Sequence, residues 1–135
     1  MSISPVYSKT IQIPASAIDE NGHVNNVTYV QWMQDIAVEH YAAIGGIQAQ
    51  GPDATWVVRE HKIEYLLPAF EGEEIEIRTW VEDIRRVRSL RKYEFVRKGD
   101  GKVLVKGETD WVFVEAKTGR PLAIPEQVVN TFLQA

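Results

Sequence analysis

One change of hydrophobic period constrains this chain more than any other feature. Tyr29, Trp32 or Met33, Ile36, His40 and Ile44 recur at helical spacing, while Gln31, Gln34, Asp35 and Glu39 fall mostly elsewhere on the wheel. Asn25 or Asn26 supplies the side-chain oxygen that a helix start needs, and Gly45-Gly46 supplies a stop. The spacing predicts one helix of about 17 residues.

The other long segments alternate. Val6 to Ile13 places Tyr7, Lys9, Ile11 and Ile13 on one face and halts at Pro14. Trp56 to Leu67 is rich in β-branched and aromatic residues and ends at Pro68. Glu73 to Ile84, Ser89 to Lys98 and Lys102 to Glu115 alternate too, and Gly99-Asp100-Gly101 marks a hairpin between the last two. Thr118-Gly119-Arg120-Pro121 is a further turn, and Pro125 to Leu133 a short terminal helix with proline in its first turn. The order is one strand, one long helix, then four strands in a meander-like series. It predicts an α+β domain with an antiparallel sheet and one dominant helix. One helix covers one face of a sheet. The strands read as apolar on both faces, so a homo-oligomer is expected to cover the other.

The length of 135 residues fits a single domain, 1–135, able to own a core. The balance of 15 basic and 19 acidic residues, net −4, argues against an extended nucleic-acid footprint. Cysteine is absent, which excludes disulfides, thiolate metal sites and a cysteine nucleophile, and fits a reducing cytoplasm. No apolar run approaches the roughly 18–20 residues that span a bilayer, and the N-terminus lacks a secretory pattern. A cytoplasmic protein with no membrane partner is expected.

The chemically dense stretch is Asp19-Glu20-Asn21-Gly22-His23-Val24-Asn25-Asn26, just before the helix. A helix start offers unpaired N–H groups and partial positive charge, which stabilise an oxyanion or polarise a carbonyl. A nearby carboxylate can act as nucleophile or as general base for water. Asn21-Gly22 is equally a hairpin-turn signal, and taken alone the stretch is an ordinary polar loop. The helical spacing after Asn26 counts against a simple hairpin.

The pattern Asp19-x-x-Gly22-His23-Val24-x-x-x-x-Tyr29, followed by Trp32, resembles hotdog-fold thioesterases of the 4-hydroxybenzoyl-CoA thioesterase type. Asp19-x-Asn21-x-His23-Val24-Asn25-Asn26 is also similar to the signature of plant acyl-ACP thioesterases, which carry two hotdog repeats where this chain has one. The element order agrees along nearly the whole chain, as does the late Thr118-Gly119-Arg120-Pro121 to Ile124-Pro125 segment. The resemblance implies a hotdog fold, an antiparallel sheet of about five strands wrapped around one long helix. It implies dimers or tetramers, active sites at the dimer interface, and metal-free thioester hydrolysis. Asp19 matches the catalytic carboxylate. The backbone N–H of Asn26 or Val27 matches the donor to the thioester carbonyl. Asn21 and His23 match catalytic or positioning residues of the acyl-ACP branch.

Other residues carry weaker expectations. Tyr29, Trp32 and Met33 have core spacing and are also candidates to line an acyl pocket. Arg85, Arg86, Arg88, Arg91 and Lys92 form the one basic run. Arginine suits phosphate geometry, so Arg85, Arg86 and Arg88 are candidates for coenzyme A phosphates, against a solvated turn salt-bridged to Glu82 and Asp83. His40 reads as buried and hydrogen-bonded, and His61 as a surface or interface residue. Glu64-Tyr65 is placed to approach the site in this fold, although Glu60, Lys62 and Glu64 also suit a cross-strand ion pair. The three histidines lack metal-ligand spacing, so neither metal nor cofactor is expected. No Gly-x-Ser-x-Gly elbow is present. The leading expectation is an acyl-CoA thioesterase. Its rivals are an acyl-ACP thioesterase, with acyl carrier protein as partner, a non-catalytic acyl-binding module, and a dehydratase or hydratase.

Overall fold

The computed structural model describes residues 2–134. Helix α1 forms where the period changes, over Asn26–Ala43, 18 residues. Asn25 is its N-cap, and the Asn25 side-chain oxygen accepts from the Val27 N–H at 2.9 Å. Gly45 sits at φ 83°, the left-handed conformation that ends helices and that glycine adopts without strain. A short helix follows at once, α2 (Gly46–Gln50), which the spacing does not predict, as it does not predict the 3-10 turn Ala15–Ala17. The terminal helix is α3 (Glu126–Gln134). No helix among the described residues is long and apolar enough to cross a membrane.

The strands are β1 (Tyr7–Gln12), β2 (Ala54–Tyr65), β3 (Glu74–Arg85), β4 (Arg88–Arg97) and β5 (Val103–Glu115). They form one antiparallel sheet in the order β1-β3-β4-β5-β2. The expected meander therefore holds only from β3 to β5. Helix α1 carries the chain across the sheet, so β2 joins at the far edge, with Ala54 opposite Glu115 and Tyr65 opposite Val105.

The helix lies in the concavity of this sheet. Tyr29, Met33, Ile36 and Ala37 are buried against Ile75, Ile77, Tyr93, Phe95, Leu104 and Val105. Each large apolar side chain buried there contributes roughly 1.5–3 kcal/mol. Gly107 on β5 permits the close approach, because a Cβ there would meet Met33 Sδ at 2.9 Å. A second cluster around Val81, Val128 and Phe132 closes the α3 end.

The outer sheet face is not apolar, contrary to the sequence expectation. Alternate positions of β3 and β4 carry charges that pair along the surface, Arg78 with Glu76 at 2.7 Å and with Glu94 at 3.8 Å. Exposed apolar side chains gather instead near the start of α1 and the end of β2, at Val27, Tyr65, Leu66, Leu67 and Phe70.

Candidate functional site

The Asp19 stretch is both things its sequence suggests, a small hairpin and the lead-in to a helix. Ile18 and Val24 form an antiparallel bridge. The Asp19 N–H donates to His23 O at 3.0 Å, and the Gly22 N–H to Asp19 O at 3.0 Å. Gly22 closes the turn at φ 84°. The hairpin is held from both sides: the Val24 N–H donates to Ala69 O and the Asn25 N–H to Ala17 O, each at 2.9 Å. These bonds tie the hairpin that carries Asp19 to Asn25, the N-cap of α1.

Within the hairpin, Asp19 Oδ1 accepts from the Asn21 N–H at 2.9 Å, which orients the carboxylate. Oδ2 has no hydrogen bond among the described residues, nor do the Asn21 and His23 side chains. The two helix-start amides differ. The Val27 N–H is already taken by Asn25 Oδ1, while the Asn26 N–H has no partner among the described residues. The open donor at this helix end is thus Asn26.

Tyr65 does reach the site: its hydroxyl donates to Asn26 O at 3.2 Å. Glu64 is exposed and lies opposite Lys106 on the neighbouring strand, while Lys62 pairs with Glu60 at 4.0 Å. The sequence did not flag Ala69, whose carbonyl anchors the hairpin, or the Arg97–Glu73 contact at 3.4 Å beside it. The Pro68-Ala69 step after an apolar strand was the available hint.

Tyr29 is buried, and its hydroxyl is sealed without a partner among the described residues. Burial pushes its pKa up to about 12. Its ring packs edge-on against Trp32 and Phe95. Tyr29, Trp32 and Met33 do not line the apolar cavity along α1. That cavity, of about 230 Å³, lies about one to three turns farther on, against Ala37, Val38, Tyr41 and Trp56. Helical spacing marks an inward face without saying where along it the packing leaves a gap.

The basic run does not act as a unit. Arg85 pairs with Asp83 at 2.7 Å. Arg88 pairs with Asp110, Nε to Oδ1 at 3.1 Å, and Arg86 turns the hairpin at φ 49°. Arg91 leaves the surface altogether and is buried beside His40 and Thr79. The Arg85–Arg88 turn lies at the opposite end of β3 from the Asp19 hairpin, ~35 Å of strand away at 3.3 Å per residue, so one chain does not bring them together. His40 is buried and hydrogen-bonded, as expected, and His61 is half-buried with Nδ1 at 2.8 Å from Thr109 Oγ1. No three His, Asp or Glu side chains gather as a metal site among the described residues.

The pattern of the thioesterase-like superfamily matches residues 13–132. No curated protein sequence matches. Solved structures do. The 1,4-dihydroxy-2-naphthoyl-CoA thioesterase from Synechocystis superposes with TM-score 0.83 at 14% identity, covering 95% of this chain and 96% of that one. A Staphylococcus aureus protein characterised in complex with CoA gives TM-score 0.84 at 17% identity, over 99% of this chain and 87% of that one. The 12:0-ACP thioesterase from Umbellularia californica gives 0.83 at 18% identity over 93% of this chain, which spans 49% of that one. At these identities the likeness shows a shared hotdog fold, as the sequence led us to expect. The superfamily pattern runs from the close of β1 to the last turns of α3, and the chain belongs to the thioesterase-like superfamily.

Proposed function

We propose that this chain hydrolyses acyl-CoA thioesters to a free acid and CoA. One observation carries the reading: the Asp19 carboxylate, with Oδ2 open, sits in a hairpin clipped to the helix start whose Asn26 N–H is also open. In this reading the Asn26 N–H donates to the thioester oxygen as negative charge develops on it. Asp19 either attacks the carbonyl carbon, expelling the CoA thiolate and leaving a mixed anhydride that water cleaves, or takes a proton from the attacking water. Asn21 and His23 position the thioester. The exposed apolar group at Val27, Tyr65, Leu66, Leu67 and Phe70 suits burial against a second copy, so the working unit is a homodimer or a tetramer built from it. Arg85, Arg86 and Arg88 then meet CoA phosphates bound at the partner's site, since they lie far from the Asp19 of their own chain.

The test is thiol release from a panel of aliphatic and aromatic acyl-CoAs, followed with a chromogenic thiol reagent. A chain without cysteine adds no background. Wild type turns over, and Asp19→Asn loses roughly 10²-fold or more, the scale of a lost acid–base or nucleophilic group. An undiminished rate in Asp19→Asn overturns the role of Asp19. Acyl-CoA binding without hydrolysis overturns the activity in favour of a binding module.

A further inference from the structure

Arg91 is a buried cation without a counter-ion. It lies mid-strand in β4 and is 4% exposed. Its Nη1 donates to His40 Nδ1 at 2.8 Å and to Thr79 Oγ1 at 3.1 Å. Both partners are neutral at pH 7. Burial, with the guanidinium beside it, holds His40 down at about 4. No carboxylate pairs with Arg91 among the described residues, and burial lowers its own pKa to about 10. Buried charges are ordinarily paired, because the desolvation cost is otherwise uncompensated.

The two Nη1 bonds use both hydrogens of that nitrogen. The Nε–H and the Nη2 hydrogens have no partner among the described residues, yet these atoms are not sealed from the surroundings. Together they form the edge of a guanidinium that grips a carboxylate with two parallel bonds. Arg91 lines the 230 Å³ cavity with Tyr41, Trp56, Trp111 and Phe132 around it. The walls are mostly apolar, with Gln50, Thr55 and Ser89 as neutral polar exceptions, and the one cation has donors to spare.

We propose that this cavity is a carboxylate subsite, in which Nε and Nη2 of Arg91 hold the carboxylate of a ligand whose apolar body packs on Tyr41, Trp56 and Trp111. The carboxylate has two possible sources. One is the distal end of a carboxylated acyl thioester, which rests on the hydrolysis proposed above. Ala37 follows Asn26 by 11 residues, ~16 Å of helix at 1.5 Å per residue. An extended acyl chain of roughly twelve carbons spans that length at ~1.3 Å per carbon. The other source is a free carboxylic acid, the kind of molecule that thioester hydrolysis releases.

Two comparisons on the full chain test this. Calorimetric titration with octanoate against 1-octanol reads the free acid. Initial rates with dodecanedioyl-CoA against dodecanoyl-CoA read the acyl arm. The carboxylate member is expected to win by roughly tenfold or more in kcat/KM or affinity in at least one arm, the scale of charge-assisted hydrogen bonds. The arm in which it wins names the source. In folded Arg91→Met the ratio falls towards one, and in Arg91→Lys it is partly kept. If Arg91→Met fails to fold, the wild-type ratios still decide. Parity in both arms, or an intact preference in folded Arg91→Met, overturns the subsite. Hydrolysis with parity in both arms leaves the thioesterase reading standing. Octanoate preference without any hydrolysis keeps the subsite and overturns that reading.

Discussion

The Tyr65 hydroxyl donates to the carbonyl oxygen of Asn26 at 3.2 Å, tying the last residue of β2 to the first residue of α1. The bond steadies the helix turn whose Asn26 N–H is open, beside the Asp19 hairpin. Tyr65 is half-exposed, so the bond contributes about 0.5–1.5 kcal/mol to stability. Tyr65→Phe is therefore expected to lower Tm by only a few degrees, while kcat on the best acyl-CoA falls roughly threefold to tenfold, about 0.7–1.4 kcal/mol of barrier. Steady-state kinetics with a thermal melt checks both. An unchanged kcat removes Tyr65 from the site.

Asn25 caps α1 by accepting from the Val27 N–H. Asn25→Ala is expected to cost about 1 kcal/mol, and Asn25→Asp much less, because aspartate keeps the acceptor. Urea titration at neutral pH distinguishes them. Equal losses in both would mean that the side-chain cap is not what Asn25 contributes.

The buried Tyr29 hydroxyl has no partner among the described residues, and burial holds it un-ionised. A buried donor left unmade is a cost, so Tyr29→Phe should leave urea stability unchanged or raise it slightly. A loss above about 1 kcal/mol would reveal a bond that the fold does not display.

His40 ties stability to pH. In the unfolded chain it titrates at its ordinary 6.5, and in the fold burial holds it at about 4. Between those values the unfolded state binds the extra proton. The stability gained is full above pH 6.5 and lost as pH falls through 4, about 3 kcal/mol in all. Burial lowers His61 as well and acts in the same direction. Denaturation curves from pH 7 down to pH 4 should show the decline. His40→Gln, which keeps an acceptor for Arg91, should flatten most of it. Identical declines in both proteins would rule out His40 as the source.

Much of the fold was legible because its signals are local. The cap at Asn25, the period from Tyr29 to His40 and the glycine stop at Gly45 each act within a few residues, and α1 begins and ends where they say. The strand limits follow alternation in the same way. The Asp19 stretch was legible as a site candidate because it is contiguous and precedes the helix. Its hairpin signal and its helix signal are not alternatives in the folded chain. The chain completes a single bridge, Ile18 to Val24, before α1 starts, and so accommodates both.

What the sequence by itself determined is therefore the five strands, the long helix α1 and the terminal helix with their approximate bounds, though not α2 or the 3-10 turn, and the carboxylate at the helix start, since short-range sterics, capping and period decide those. The tertiary structure alone decided that β2 crosses to the far edge, that adjacent arginines part company with Arg88 on Asp110 and Arg91 buried beside His40, and that the cavity opens at Ala37 and Tyr41 rather than at Tyr29. Each of these depends on which side chains meet across strands and helix from distant parts of the chain. Burial and pairing are properties of that meeting, and no local pattern encodes them.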